Sequence, residues 1–281
     1  MTSHTLPSVK IRNLSKTYSN GIEALININL EMSSGIYGLL GKNGAGKSTL
    51  MRTLATLQPV DSGEAQLDNI DLLNEQRRAR EFIGYLPQEM GVPPYMSAYE
   101  ALEYYAGLKG FCHSINIYDE LDKVNLGDVA HQRLDTFSGG MRQRFGIAVA
   151  FLGSPRLVIV DEPTAGLDPF ERRRFQHLLL TTAQDCVLVL SSHIVEDIQD
   201  LASRMAILDN GQVIAEGSPD QLVSTLQGKV WSSSVTLREL EDWKNEANVL
   251  SWRPRSGSHL LRVWSENSPG EAFSPVCLLY T

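Results

Sequence analysis

Cysteine is scarce in this chain. Its three cysteines, Cys112, Cys186 and Cys277, stand far apart and show no metal-ligand spacing, so they read as reduced thiols of a cytosolic protein. Long apolar runs are missing too. The most apolar stretches, LVIV ending at Val160 and CVLVL ending at Leu190, fall far short of the roughly 20 residues that cross a bilayer. Any crossing is therefore expected from another chain. The opening MTSHTLPS lacks the basic-then-apolar order of a signal peptide. Basic residues are in deficit, with 25 Lys and Arg against 33 Asp and Glu, a net charge of -8. A nucleic-acid partner, which demands a basic face, is not expected. Tryptophan is absent from the first 228 residues, and no repeat or low-complexity tract interrupts them.

What is present is an ordinary globular composition, 42% apolar and 21% charged over 281 residues. That length suffices for one large domain and an appendage. Val9 to Tyr18 and ALININL (Ala24 to Leu30) flank Asn20-Gly21, a hairpin signal, and MAILDNGQVIAEG repeats it at Asn210-Gly211. IYGLL, LVIV and CVLVLSS read as strands buried on both faces of a parallel sheet. Helical patterns follow Lys47 and run from Phe170 to Ala183, and residues 90–152 read as mostly helical. From Lys229 the character changes. Trp231, Trp243, Trp252 and Trp264 all lie here, SVTL, VLSW and HLLRVW read as strands, and LRELEDWKNEA as a helix. A segment so short rarely supports its own core, so it is expected to dock on the main domain or a partner.

GLLGKNGAGKST, Gly38 to Thr49, is an apolar strand running into G-x-x-x-x-G-K-[ST]. Gly41, Gly44 and Gly46, with Asn43 and Ala45 between them, let backbone N–H groups converge on an anion. A helix opening at about Lys47 adds the positive end of its dipole. Lys47 can reach the β- and γ-phosphates, and the Ser48 hydroxyl can serve Mg²⁺. Farther on, RLVIVDEPTAGLDP ends a strand in two acids. Asp161 is placed to hold Mg²⁺ through water, and Glu162 to take a proton from the water attacking the γ-phosphate. His193 ends the strand VLVLSSH at the same sheet edge. A histidine there is more often structural, and Gln88 after IGYL and Tyr18 before the hairpin are no more telling by position alone.

Together these pieces resemble the ATP-binding subunit of ABC transporters. The resemblance rests on Gly41 to Thr49 as phosphate loop, Gln88 as Q-loop and Ser138-Gly139-Gly140 as signature. LVIVDE, Ala165-Gly166-Leu167-Asp168 as D-loop and His193 as switch histidine complete it. It implies a P-loop NTPase (RecA-like) α/β core with an antiparallel β subdomain and a helical signature subdomain. The ATP-binding domain would span residues 9–222, its helical part about 90–152, and a small α+β extension would occupy 229–281. It further implies ATP and Mg²⁺ as cofactors, with Gln88 joining Ser48 and Asp161 at the metal and Tyr18 stacking on adenine. Lys47, Gln88, Glu162 and His193 would serve hydrolysis.

In the family two such subunits close head to tail on two ATP molecules, so Ser138, Gly139 and Gly140 would bind the partner's nucleotide and Asp168 would reach across the interface. The partners implied are a second ATP-binding subunit, identical or not, and a separate membrane permease. That places the chain in the cytoplasm, peripheral on the inner face of the cell membrane. The run around FSGGMRQR looks most like ATPases of exporters for antibiotics, sodium or other small solutes, although Phe137 and Met141 depart from the commoner L-S-G-G-Q. The rival is a non-transport ABC-type ATPase acting on ribosomes or DNA. Only 49 residues separate Gln88 from Ser138, too few for the long coiled coil of chromosome-type members, and a second phosphate loop, as in translation-type members, is missing.

Overall fold

The alternation at the start of the chain pairs as expected. The computed structural model describes residues 6–88, 90–91, 93, 95–111, 114–164, 167–245 and 248–276. Strands β1 (Ser8–Thr17) and β2 (Glu23–Ser33) form an antiparallel hairpin, its turn closed by Gly21 N–H donating to the Tyr18 carbonyl at 2.9 Å. Then come β3 (Gly35–Leu40), α1 (Lys47–Leu54), β4 (Ser62–Leu67) and β5 (Ile70–Asp71). β4 turns only Ala65 and Leu67 inward, too weak a pattern to announce a strand, yet it completes a sheet of order β2-β1-β4-β5.

Next are α2 (Gln76–Ala79) and β6 (Ile83–Leu86), and then the helical block: α3 (Ala98–Leu108), α4 (Ile117–Lys123) and α5 (Gly139–Phe151). α3 starts where it does because Ser97 and Glu100 cap one another, side chain to backbone in both directions. The chain returns to the sheet with β7 (Leu157–Asp161), α6 (Pro169–Thr182), β8 (Val187–Ser192), α7 (Val195–Gln199), β9 (Arg204–Asp209) and β10 (Gln212–Gly217). The strands form one sheet of order β10-β9-β3-β8-β7-β6. All neighbours are parallel except β9 and β10, which turn back through Asn210 (φ +46°) and Gly211 (φ +77°). Every residue of β7 and β8 is buried, as their unbroken apolar runs require.

One core spans both sheets. Leu50, Met51 and Leu54 of α1 are fully buried among Ile11, Leu14 and Leu25 from the antiparallel sheet and Leu157, Ile159 and Val189 from the parallel one. Each such side chain contributes about 2 kcal/mol. Helix α1 is therefore clamped from both sides, and the loop that opens it is held in place.

The chain divides into two compact units after Gly217. The second contains α8 (Pro219–Ser224), β11 (Val230–Val235), α9 (Leu237–Asn245), β12 (Val249–Arg255), β13 (Ser258–Trp264) and β14 (Ser274–Pro275). Its antiparallel sheet has the order β12-β13-β11-β14. The expected strand SVTL lies too late. The strand is VWSSSV, and Thr236 then accepts the Glu239 N–H on its hydroxyl and starts α9. Contrary to the expectation of a segment without a core, Val235, Leu240, Leu261 and Val263 bury one another, packed round by Trp231, Trp243, Val249 and Phe273. Two of the four tryptophans thus close this small core.

Candidate active site

Strand β3 delivers the chain to the edge of the sheet at Leu40, and α1 begins at Lys47. Gly46 turns the chain between them with φ +105°, and a Cβ there would lie 2.5 Å from the Ala24 carbonyl oxygen, so no other residue fits. The loop is also pinned from outside, because the Ala45 carbonyl accepts the Gly211 N–H at 3.1 Å. Helix α1 has neither a side-chain cap nor an acid in its first turn, which leaves its N-terminal dipole to an external anion. A cleft of about 650 Å³ opens over this point, lined by Tyr18, Asn20, Asn43, Gly44, Gly46, Lys47, Ser48, Thr49, Arg52, Gln88 and Glu162.

Three residues far apart in sequence meet beside it. Lys47, 4% exposed, donates to the carbonyls of Gly41 (2.7 Å) and Lys42 (3.2 Å), and its Nζ lies 3.8 Å from Glu162 Oε1. The other oxygen, Oε2, is 3.1 Å from Nδ1 of His193. Glu162 holds a left-handed backbone, φ +46°, which costs a non-glycine residue about 1–2 kcal/mol. The neighbouring strand supplies the restraint. Ser191 on β8, fully buried, accepts the Glu162 N–H at 2.9 Å and donates its hydroxyl to Asp161 Oδ1 at 2.6 Å. Asp161 is itself 4% exposed. Burial and the Asp161 charge together push the Tyr85 hydroxyl, on the other flanking strand, above its ordinary pKa.

Gln88 and Ser48 line the cleft. Among the described residues no cluster of three or more His, Cys, Asp or Glu could enclose a metal alone. The Ser48 hydroxyl, the Gln88 amide and the Asp161 carboxylate are hard oxygen donors, the chemistry of a Mg²⁺ completed by phosphate and water. Tyr18 lines the cleft with its hydroxyl anchored to Thr49 Oγ1 (3.1 Å) and Gln58 Oε1 (3.3 Å). Gly41 and His193 are not among the described residues lining this cleft; with Asn43, which lines both, they wall a second, more open depression beside Val195, Ile207 and Ile214.

Ser138, Gly139, Gly140 and Asp168 are not among the described residues lining the cleft. Ser138 caps α5, accepting the Met141 N–H at 3.2 Å. Asp168 caps α6, accepting from Phe170 and Glu171 N–H, both at 2.9 Å. Ala165 and Gly166 lie outside the described residues. Sequence reasoning missed Ser191, Arg52 and the buried Asp197 on α7. A serine inside the apolar run of β8 was the available signal for the first.

Comparison with known families matches residues 25–165 to the family described as ABC transporter. The chain is 34% identical over 241 residues to ABC transporter A family member 8 of Dictyostelium discoideum, covering 82% of this chain and 29% of that protein. It thus spans under a third of that relative's length. It is 35% identical over 255 residues to the daunorubicin/doxorubicin resistance ATP-binding protein DrrA of Streptomyces peucetius, covering 89% of this chain and 75% of that one. Among solved structures, the dimeric ATP-binding cassette MJ0796, in a post-hydrolysis state bound to ADP and Pi, superposes with a TM-score of 0.64 at 27% identity, over 75% of this chain and 98% of that one. With the phosphate loop and the strand-end acids in place and the family match over half of the chain, the chain belongs to the ABC transporter family and carries its ATP-binding domain.

Proposed function

We propose that this protein is the ATP-binding and hydrolysing subunit of a transporter whose membrane part is a separate permease, and that two copies, or one copy and a similar chain, close head to tail on two ATP molecules. The observation that carries the reading is a mismatch within one chain. Two stretches have the chemistry to bind phosphate, yet the cleft over Lys47 is lined by only one of them. Gly139 sharpens the point. A Cβ there would meet nothing within 4 Å, and its φ is not positive, so nothing among the described residues requires glycine. Close approach by a nucleotide bound to another subunit supplies the missing reason.

In this reading the N–H groups at the start of α1 and the Lys47 ammonium take the β- and γ-phosphates. Glu162, held at the cleft wall by Ser191, orients the attacking water and accepts its proton, while His193 steadies the Glu162 carboxylate and the γ-phosphate. Ser48, Gln88 and Asp161 would hold Mg²⁺, whose chemistry there would be neutralisation of phosphate charge. Ser138 and the N–H groups opening α5 bind the partner's γ-phosphate. ATP thereby joins the two subunits and hydrolysis releases them. Helices α3 and α4, between Gln88 and the signature, hold a cytoplasmic helix of the permease and pass the closure on. Similarity to a daunorubicin/doxorubicin resistance ATP-binding protein supports export of small solutes as the direction.

Glu162→Gln tests the chemistry. It keeps the shape of the site, so ATP binding persists, turnover falls by at least about 100-fold, and an ATP-dependent dimer accumulates in light scattering. Normal hydrolysis by this variant refutes the assignment. Affinity purification in detergent should recover an integral membrane protein. Recovery of ribosomes in its place would favour the non-transport rival, which no observation so far supports.

A further inference from the structure

Helix α6 begins just after the D-loop, and its first two charged residues bind in different directions. Glu171 turns to the signature helix. Its Oε2 accepts from Arg144 NH1 of α5 at 2.7 Å, and its carboxylate lies so close to Gly140 that a Cβ there would come within 2.3 Å. A Cβ at the second signature glycine would thus displace the Glu171 carboxylate, whereas one at the first would meet none of the described residues within 4 Å. Arg174 adds a second contact to Glu171 at 3.2 Å, and the Asp168 side chain accepts the Glu171 N–H at 2.9 Å.

The adjacent residue, Arg172, turns to the hydrolytic edge. Its Nε donates at 2.5 Å to Asp197, whose side chain is 1% exposed. That carboxylate also accepts from Gln176 Nε2 (3.0 Å), Thr164 Oγ1 (2.6 Å) and Ser192 Oγ (3.3 Å). Thr164 stands two residues after Glu162. Ser192 precedes His193 and accepts the Ile194 N–H at 2.9 Å, so it shapes the turn that carries the histidine.

The Glu171–Arg144 pair is not an obvious gain for folding alone. A buried pair recovers its desolvation cost only when its remaining hydrogen-bonding groups are satisfied, and Arg144 leaves its buried Nε without a partner. We propose that the first turn of α6 is a coupler built into each chain. Through Glu171–Arg144 and Arg172–Asp197 it ties Ser138-Gly139-Gly140, which serve the partner's nucleotide, to Glu162 and His193, which serve the chain's own. Glu171 and Arg172 are positioning residues, and the inference rests on the two-chain reading above. Closure of a signature on one ATP then shifts α6, and α6 shifts the hydrolytic edge at the other ATP.

The test uses the full chain with Glu171→Gln and, separately, Arg172→Lys, each keeping length while removing the charge or the planar fork. Hydrolysis is measured against ATP and against protein concentration, and binding of a fluorescent ADP is measured alongside. The expected result is a Hill coefficient above 1 in the parent chain that falls toward 1 in both variants, with kcat lowered about tenfold, within the range of coupling energies between sites. ADP affinity should stay within about twofold, since ADP at the Lys47 cleft touches neither pair. An unchanged Hill coefficient and kcat overturn the coupler, and so does a loss of ADP affinity in step with kcat, which marks a merely structural role. A parent chain that hydrolyses with first-order dependence on its own concentration and no cooperativity refutes closure of two identical copies, and the coupler with it.

Discussion

Replacing Ser191 with alanine removes a hydroxyl that does two jobs at the hydrolytic edge. It donates to the buried carboxylate of Asp161 at 2.6 Å and accepts the N–H of Glu162, whose φ is +46°. A hydrogen bond to a buried charged group is worth about 2 kcal/mol, and stranding the N–H costs about 1–2 kcal/mol more. Glu162 can relax from its left-handed conformation, which returns about 1 kcal/mol. The net loss is therefore about 2–3 kcal/mol, and at 2–4 °C per kcal/mol for a unit of this size the unfolding midpoint should fall by roughly 5–10 °C. The relaxation that limits the stability loss also carries the carboxylate away from Lys47 and His193. Hydrolysis should then drop by at least about 100-fold, the share of a positioned base, while nucleotide binding at the Lys47 loop persists. Differential scanning calorimetry, a phosphate-release assay and a fluorescent-nucleotide titration measure the three quantities. A variant whose midpoint moves by less than about 1 °C and whose turnover stays within about twofold refutes the claim that Ser191 holds the base.

Other substitutions separate contacts inside the chain from contacts outside it. Gly139→Ala should fold normally, because its Cβ meets no atom of the described residues within 4 Å, yet lose ATP-driven dimerisation; unaltered dimerisation in light scattering contradicts the second-cradle assignment. Gly46→Ala should abolish nucleotide binding and lower the unfolding midpoint, since φ +105° and a 2.5 Å approach to the Ala24 oxygen leave no room, and calorimetry with a nucleotide titration checks both. Burial and the charge of Asp185 push the Cys186 thiol from its ordinary 9.0 up to about 12. With Cys112 and Cys277 changed to serine, Cys186 should resist an aromatic disulfide reagent at pH 8 until the protein unfolds. The folded thiol keeps a proton that the unfolded chain releases, so this contribution to stability is intact below about pH 9 and is lost as the pH rises toward 12. Chemical denaturation of the Cys186→Ala variant across that window should show a shallower decline.

Features carried by a contiguous stretch were legible in the sequence. The phosphate loop needs an apolar strand, glycines and a helix start within a dozen residues, and local backbone chemistry writes them in order. Asp161 and Glu162 follow from a buried run ending in acids, and the Asn210-Gly211 turn from the positive φ that hairpins demand. The C-terminal unit was harder. Its strands carry serines and arginines as well as apolar residues, so the periodicity placed β11 late and gave no sign that Leu240 and Leu261 would meet.

Composition and motif spacing by themselves determined that this is a P-loop protein with a magnesium-suited acid pair, no long apolar run and a tryptophan-bearing appendage. Strand order decided the rest. Because β8 lies between β3 and β7, Ser191 reaches Asp161 across 30 residues of sequence and His193 reaches Glu162 across 31. The divergent partners of Glu171 and Arg172 depend likewise on where α5 and α7 pack against α6. Only the tertiary structure could separate Ser138, Gly139 and Gly140 from the cleft over Lys47, because side chains and loops meet through space, and spacing along the chain does not encode which of two cradles shares a cleft with the catalytic acid.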